Sequence, residues 1–167
     1  MRDTVHRSPH RWLRPYDAAV AVLTVFVTGA VGSAVTLPVI PTWYRGIAKP
    51  SWTPPDAVFG PAWTTLYILM AGAFYRVLGL PRDTPGRAVA ISIFALHMVL
   101  NAGWSAGFFG MRSPTLGLVD LAVFWPVTIL NAWAFWRLDR IAGALMIPNI
   151  LWVTFAAALN IAIWRMN

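Results

Sequence analysis

Aromatic, basic and proline residues crowd the segment WYRGIAKPSWTPP, residues 43–55. Trp43 and Trp52 offer flat apolar faces that can stack on a planar ligand. Arg45 and Lys49 offer charges that can pair with a carboxylate. The same residue types are also typical of an aromatic and basic anchor at a membrane surface. The residues alone therefore leave two interpretations open, a ligand-binding cap and an interfacial anchor.

Further polar and aromatic side chains lie in apolar surroundings. Trp63 and Tyr67 are four residues apart, so they share one face of a helix. His97, Asn101 and Trp104 form a similar stripe, and we expect such groups to face the protein interior.

His97 has no second histidine, cysteine or glutamate nearby, which is poor support for a metal site. We therefore predict no metal site, and an interhelical hydrogen bond for His97. Asp120 is the one acid inside an apolar stretch, and its cost there implies a partner or a cavity. A structural role and a ligand contact are equally compatible with Asp120.

The composition indicates a membrane protein. Of 167 residues, 58% are hydrophobic and only 11% are charged, with a mean hydropathy of +0.61. A soluble domain of this length would carry more charge on its surface. The net charge of +7 resides in arginines at the ends of apolar runs, which favours membrane flanks over nucleic-acid binding. With no cysteine, disulfides and thiolate metal sites are excluded.

Five apolar stretches are long enough to cross a bilayer, since about 20 helical residues span its hydrocarbon core. The predicted fold class is an all-α integral membrane protein, a bundle of five transmembrane helices. Predicted spans are approximately 18–37, 57–75, 88–111, 113–136 and 141–164, within a single domain of residues 16–167. A basic N-terminal tail, 1–15, precedes them, and a cap loop rich in proline and tryptophan, 38–56, joins the first two.

The motifs resemble those of the TspO/MBR family, the tryptophan-rich sensory proteins and translocator proteins. The resemblance rests on WYRGIAKPSWTPP and FGPAWTTLYILM, on LNAGWSAGFFG at residues 100–110 followed by LVDL, and on PNILWVTFAAALNIAIWRMN at residues 148–167. It covers nearly the whole chain after the N-terminal tail. It implies a five-helix membrane bundle, often a homodimer, in an integral multi-pass membrane location.

The resemblance also implies a ligand class. Family members bind porphyrins and other tetrapyrroles of the haem pathway, and animal members bind cholesterol. No cofactor is obligatory; a porphyrin or haem would be a ligand. Trp63 and Trp152 match tryptophans implicated in porphyrin chemistry. The predicted binding residues are Trp43, Arg45, Lys49, Trp52, Trp63, Tyr67, Asn101, Asp120 and Trp152.

Three positions depart from the family pattern. Ala106 stands where a proline usually follows Trp-Ser, and Asn149 replaces a tyrosine on the pocket side of the fifth helix. Ile161 stands where the animal sterol motif needs a tyrosine, so a sterol ligand has no support from that motif. Gly103 and Gly107 form a GxxxG that serves either a homodimer or internal packing.

Three functions follow as hypotheses. The first is a membrane receptor or sensor for tetrapyrroles, linked to tetrapyrrole or stress regulation. The second is an enzyme that degrades porphyrin in light, using Trp63 and Trp152. Conventional catalytic motifs are absent from the sequence, so such an activity would have to use the photochemistry of the ligand. The third is a porphyrin or sterol transporter, which the lack of a sequence repeat disfavours.

The basic residues predict the orientation. Nine flank one side (Arg2, Arg7, Arg11, Arg14, Arg76, Arg82, Arg87, Arg137 and Arg140) and four flank the other (Arg45, Lys49, Arg112 and Arg165). In an inner cell membrane the positive-inside rule places the N-terminus in the cytoplasm. A cysteine introduced beside Arg7 should then react with an impermeant maleimide only from the cytoplasmic face. Labelling from the opposite face would contradict the predicted topology.

Overall fold

The computed structural model describes residues 14–167, and these form a bundle of helices without strands. Five helices are long and apolar enough to cross a membrane, which confirms the predicted fold class. They are α1 (Pro15–Thr36), α2 (Asp56–Leu78), α3 (Arg87–Ser105), α4 (Pro114–Leu138) and α5 (Arg140–Met166). Of the predicted basic tail, residues 1–13, with Arg2, Arg7 and Arg11, lie outside the described residues, and α1 already begins at Pro15.

Local sequence explains where the helices begin and end. Pro15 and Pro114 stand at the first turns of α1 and α4, where a missing N–H costs nothing. The Ser113 side chain accepts a hydrogen bond from the Leu116 N–H and so caps α4. Gly86 precedes α3 with φ of 83°, a left-handed conformation that favours glycine. These signals allow the short connections that make neighbouring helices antiparallel.

The five helices close into a ring. α1 packs on α2, α2 on α5, α5 on α4, α4 on α3, and α3 returns to α1. Gly103 and Gly107 of α3 both lie against α4, where an added Cβ would come within 2.8 Å of Asp120 Oδ1 and 3.4 Å of Leu116. In this structure the GxxxG motif therefore serves packing inside the chain. The outward faces are apolar, as expected of helices that contact lipid.

Two π-helical turns shape the cap end of the bundle, the end that carries the cap loop. One, Ile40–Tyr44, lies within the cap loop, and the other, Ala106–Gly110, extends α3. Each inserts a wider turn that redirects its aromatic side chains. The Trp43 ring meets Phe108 at 5.5 Å and the Tyr44 ring meets Phe109 at 5.4 Å, centroid to centroid. The cap loop is thus packed on the helix ends.

Hydrogen bonds also fasten the cap loop. The side-chain amide of Asn167 accepts from the Ala48 N–H and donates to the Ala48 carbonyl, both at 3.0 Å. The Lys49 ammonium donates to the carbonyls of Tyr44 and Ile47. Together these bonds tie the loop to the end of α5 and to itself.

An ion pair joins α2 and α5 at the opposite end of the bundle. Two nitrogens of the Arg76 guanidinium lie 3.0 and 2.8 Å from Asp139 Oδ2. The other oxygen, Oδ1, accepts from the N–H groups of Ile141 and Ala142 and so caps α5. Burial alone would raise the pKa of Asp139. The hydrogen bonds and charge of Arg76, with the bonds from Ala142 and Ile141, outweigh burial and hold the pKa below its ordinary value.

Asp139→Ala removes both the cap and the ion pair. It should lower the free energy of unfolding by about 1–2 kcal/mol, the scale of a lost helix cap. Asp139→Asn keeps a capping oxygen and should lose less. Thermal unfolding in detergent micelles measures both, with Asp83→Ala in an exposed loop as the control. Equal melting temperatures for Asp139→Ala and the control would contradict this role.

The same pair predicts a pH dependence. Because folding lowers the pKa of Asp139, its stabilising contribution is complete above the unfolded value of 3.8. That contribution is lost as the pH falls through the lower folded-state pKa. The wild type should therefore lose more stability than Asp139→Asn between about pH 5 and about pH 3. Parallel melting profiles for the two proteins over that range would show that the carboxylate is not responsible.

Candidate ligand-binding cavity

A cavity of about 940 Å³ lies among α1, α2, α5 and the cap end of α3. This volume is at the upper end of the range for small-molecule sites. The lining extends from Ala18 to Leu37 on α1 and from Asp56 to Tyr75 on α2. The cavity therefore follows the seam between α1 and α2 through most of the thickness of the bundle.

Aromatic side chains dominate the walls. Three predicted binding residues, Trp63, Tyr67 and Trp152, line the cavity. The other aromatic lining residues are Phe26, Tyr44, Phe59, Tyr75, Trp104, Phe108, Phe109 and Phe155. Such walls suit a large, flat and apolar molecule.

Trp63 and Trp152 meet on one side of the cavity. Their rings are 6.3 Å apart and nearly perpendicular, at 81°. Tyr67 stacks on Trp63 at 5.6 Å, and Phe59 meets Trp152 at 5.9 Å. These edge-to-face and stacked contacts fix ring orientations. The two tryptophans therefore present adjacent faces from α2 and α5.

Tyr67 is held from two further sides. Its hydroxyl donates a 2.8 Å hydrogen bond to Asn101 Oδ1 on α3. Its ring lies against Gly29 of α1, where an added Cβ would come within 2.9 Å of Tyr67 Cε2. Asn101 itself is buried and does not line the cavity. Its role in the structure is to position Tyr67.

The cavity opens sideways. Val22 and Phe26 on α1 and Ile68 on α2 line it, yet they are 56%, 66% and 66% exposed. A lining residue that is also exposed marks the place where the cavity reaches the outside of the bundle. The opening therefore lies on the apolar surface between α1 and α2.

The cavity walls carry little charge. Among residues 14–167, the charged lining residue is Asp56, at the first turn of α2. Burial, with the Asp56 charge, raises the pKa of the neighbouring Tyr44 to about 12. The Tyr44 hydroxyl is therefore protonated at neutral pH and is a donor available at the mouth.

The predicted cap residues lie just behind the lining. The Lys49 ammonium is 4.7 Å from the centroid of the Tyr44 ring and binds two carbonyls there. The Trp43 ring contacts Phe108, and the Trp52 ring contacts Phe155 at 5.9 Å. Arg45 is exposed in the same segment. None of the four lines the cavity, but Trp43 and Arg45 flank the lining residue Tyr44 in sequence, and Lys49 and Trp52 contact the lining residues Tyr44 and Phe155.

Two other predicted residues lie between α3 and α4. Asp120 packs on Gly103 and is outside the lining. His97 is fully buried and forms a 2.9 Å hydrogen bond with Asn149 of α5, which confirms the predicted interhelical bond. Asn149, expected on the pocket side, instead faces α3 because it pairs with His97. No group of metal ligands occurs among the described residues.

Several lining residues were missing from the sequence prediction. Asn160 accepts a hydrogen bond from the Trp104 indole at 3.1 Å and donates to the Pro114 carbonyl. An amide within an apolar helix was a usable signal for it. Gly29, Phe59 and Phe155 carried no such signal, because apolar residues in a membrane helix face lipid and protein alike.

Five helices long and apolar enough to cross a membrane, with an aromatic and nearly uncharged cavity among four of them, define a multi-pass helical membrane protein. The TspO/MBR family profile matches residues 20–165. The chain belongs to the TspO/MBR family, and it is an integral, multi-pass membrane protein.

Curated relatives agree with this assignment. The tryptophan-rich protein TspO of Chlorobaculum tepidum is 40% identical over 149 residues, covering 89% of this chain and 94% of the relative. The tryptophan-rich sensory protein of Cereibacter sphaeroides is 38% identical, covering 75% and 77%. The translocator protein of Homo sapiens is 35% identical, covering 75% of each chain. These relatives support a receptor or sensor role in the membrane.

Gly29→Ala tests the packing that holds Tyr67. The added methyl group would collide with the Tyr67 ring, so it should destabilise the fold by about 1–3 kcal/mol. Gly72→Ala is the matched control, since Gly72 also lines the cavity and an added Cβ there would make only an ordinary contact, 3.7 Å from the Leu145 side chain. The control should be neutral or slightly stabilising, because alanine favours helix. Thermal unfolding measures both.

A double variant decides the cause. Tyr67→Ala removes the ring that meets the new methyl group, so Gly29→Ala should cost much less in that background. An unchanged cost in the double variant would show that Tyr67 is not the obstacle.

Proposed function

We propose that this chain is a membrane receptor or sensor whose cavity binds porphyrins and related tetrapyrroles. The observation that carries the proposal is the meeting of Trp63 and Trp152 in a cavity of about 940 Å³. The sensory and translocator names of its relatives support the receptor role. The tetrapyrrole is what the family resemblance implies, and the aromatic walls of the cavity are compatible with it.

The walls match the requirements of a flat macrocycle. Its faces would stack on Trp63, Tyr67 and Trp152, and its edges would meet aliphatic residues of α1. The lateral opening faces the apolar surface, where a hydrophobic ligand concentrates. The stacked and perpendicular rings are already fixed before binding, which lowers the ordering cost.

The carboxylates of such a ligand would lie toward the cap. We assign Arg45 and Lys49 to them. Lys49 at present donates to two neutral carbonyls, and a carboxylate is a stronger acceptor for an ammonium. Binding would then require Lys49 to turn from those carbonyls, and Tyr44 could add a neutral donor at the mouth. A homodimer and a sterol ligand remain proposals that rest on the family alone.

The contact between Trp63 and Trp152 favours a second function, light-dependent breakdown of a bound porphyrin. Indole is oxidised far more readily than phenylalanine, and both indoles would touch the macrocycle. The described part of the cavity holds no acid–base pair for conventional catalysis. Any turnover would therefore depend on the photochemistry of the ligand.

Titration of the detergent-solubilised protein with protoporphyrin in the dark tests binding. Trp63→Ala and Trp152→Ala should each weaken it by about 1–3 kcal/mol, or about five- to 150-fold, the scale of a lost stacking face. Trp164→Ala, an exposed tryptophan outside the cavity, should bind as the wild type does. Equal affinities for all four proteins would reject this site.

The same titration separates the role of the cap and the role of light. Replacing Arg45 and Lys49 by glutamine should weaken the binding of protoporphyrin more than the binding of its dimethyl ester. Equal weakening of both would show that the two charges do not recognise the carboxylates and serve only as interfacial anchors. Trp63→Phe with Trp152→Phe should retain stacking and most of the binding. If illumination still consumes the porphyrin in that double variant, the two indoles are not the reactive groups.

A further inference from the structure

A continuous series of ring contacts leads from the cavity to the protein surface. Trp63 meets Trp152 at 6.3 Å, Trp152 meets Phe155 at 5.6 Å, and Phe155 meets Trp52 at 5.9 Å. The Trp52 side chain is 49% exposed, at the turn that precedes α2. Readily oxidised rings therefore stand at both ends of the series, one pair in the cavity and one at the surface, with a single phenyl ring between them.

We propose that these rings form an electron relay in which Trp52 reduces an oxidised tryptophan of the cavity. The proposal rests on the proposed function only for its oxidant, a photoexcited macrocycle with dioxygen as electron acceptor. The relay itself depends on the ring contacts. It would spare Trp63 and Trp152 from damage by moving the oxidising equivalent out of the site.

Electrostatics gives the relay its direction. A one-electron oxidised indole is a radical cation, and an isolated charge in a low-dielectric interior is strongly disfavoured. At Trp52, water solvates the charge and accepts the indole N–H proton. Trp63 and Trp152 lie in an apolar cavity whose charged lining residue, among those described, is Asp56 at the mouth. The oxidised state is therefore more stable at Trp52 than at either cavity tryptophan.

Each step moves one electron. The excited macrocycle gives an electron to dioxygen, forming superoxide and a macrocycle radical cation. Trp63 or Trp152 gives an electron to the macrocycle and restores it. Trp52 gives an electron through Phe155 to the oxidised indole, and the resulting Trp52 radical cation releases its N–H proton to water. A thiol in solution then returns one electron and one proton to Trp52.

Another tryptophan provides a matched comparison. Trp164 is 48% exposed and lies near the same end of α5, since Asn167 binds Ala48 of the cap loop. Within residues 14–167, no aromatic contact joins Trp164 to the cavity. Oxidants in bulk solution should attack Trp52 and Trp164 alike, whereas a relay should reach Trp52 alone.

The test is illumination of the full chain with bound protoporphyrin in air, without thiol, followed by peptide mass spectrometry. Oxygenated indole should accumulate at Trp52 in excess over Trp164. Phe155→Leu, which removes the intermediate ring but keeps Trp52 in place, should abolish that excess and shift modification to Trp63 and Trp152. Trp52→Phe should produce the same shift, and Trp164→Phe should leave the pattern unchanged.

A ligand-free arm separates the relay from the proposed function. Ultraviolet photoionisation of the tryptophans, without porphyrin, should also place the excess of product at Trp52, and Phe155→Leu should again remove it. If protoporphyrin does not bind but this arm gives the excess, the relay stands and the ligand is wrong. Equal oxidation of Trp52 and Trp164 in this arm, or an excess that survives Phe155→Leu, overturns the relay.

Discussion

Hydrocarbon cannot hydrogen-bond, and this constraint governs the structure. Every backbone group in the membrane must find a partner within its own helix, which leaves side chains to connect one helix with the next. Two pairs of polar side chains do so: Tyr67 with Asn101, and His97 with Asn149. These pairs link α2 to α3 and α3 to α5, so these four side chains serve to hold the bundle together.

The composition of the cavity walls follows from this arrangement. Because Asn101, His97 and Asn149 turn toward neighbouring helices, the space among α1, α2 and α5 is bounded mainly by rings and aliphatic groups. Asn101 is an example: it does not line the cavity, but its hydrogen bond orients Tyr67, which does line the cavity. Among the described residues, the Asp, Lys and Arg side chains lie near the two ends of the bundle, with the Arg76–Asp139 pair at the end away from the cap loop; Asp120, between α3 and α4, is the exception. Selectivity inside the cavity must therefore rest on shape and stacking.

The helices could be predicted from the sequence because the length and hydropathy of a membrane span are local properties. The shared face of Trp63 and Tyr67 was local too, since it follows from a spacing of four residues. The meeting of Trp63 and Trp152 joins α2 to α5, and only the family resemblance pointed to it. No local pattern indicated that Lys49 would bind backbone carbonyls, because water can solvate a charged side chain in a loop equally well. The sequence also did not predict that Asn149 faces α3, because its partner, His97, lies on another helix.

The two walls through which a ligand could pass differ in what it costs to open them. At the cap, opening breaks the bonds of Asn167 with Ala48 and of Lys49 with Tyr44 and Ile47. The Asn167 bonds are exposed, so water can replace them, but the Lys49 bonds are half-buried, and each buried group left unpaired there costs about 1–3 kcal/mol. At the seam, α1 and α2 meet through apolar and small residues such as Gly29 and Ala30. Lipid tails are as apolar as the side chains they would replace, so separation there costs only packing. The seam is therefore the weaker wall, and a cavity that extends along it is accessible from the bilayer, where an apolar ligand is already dissolved.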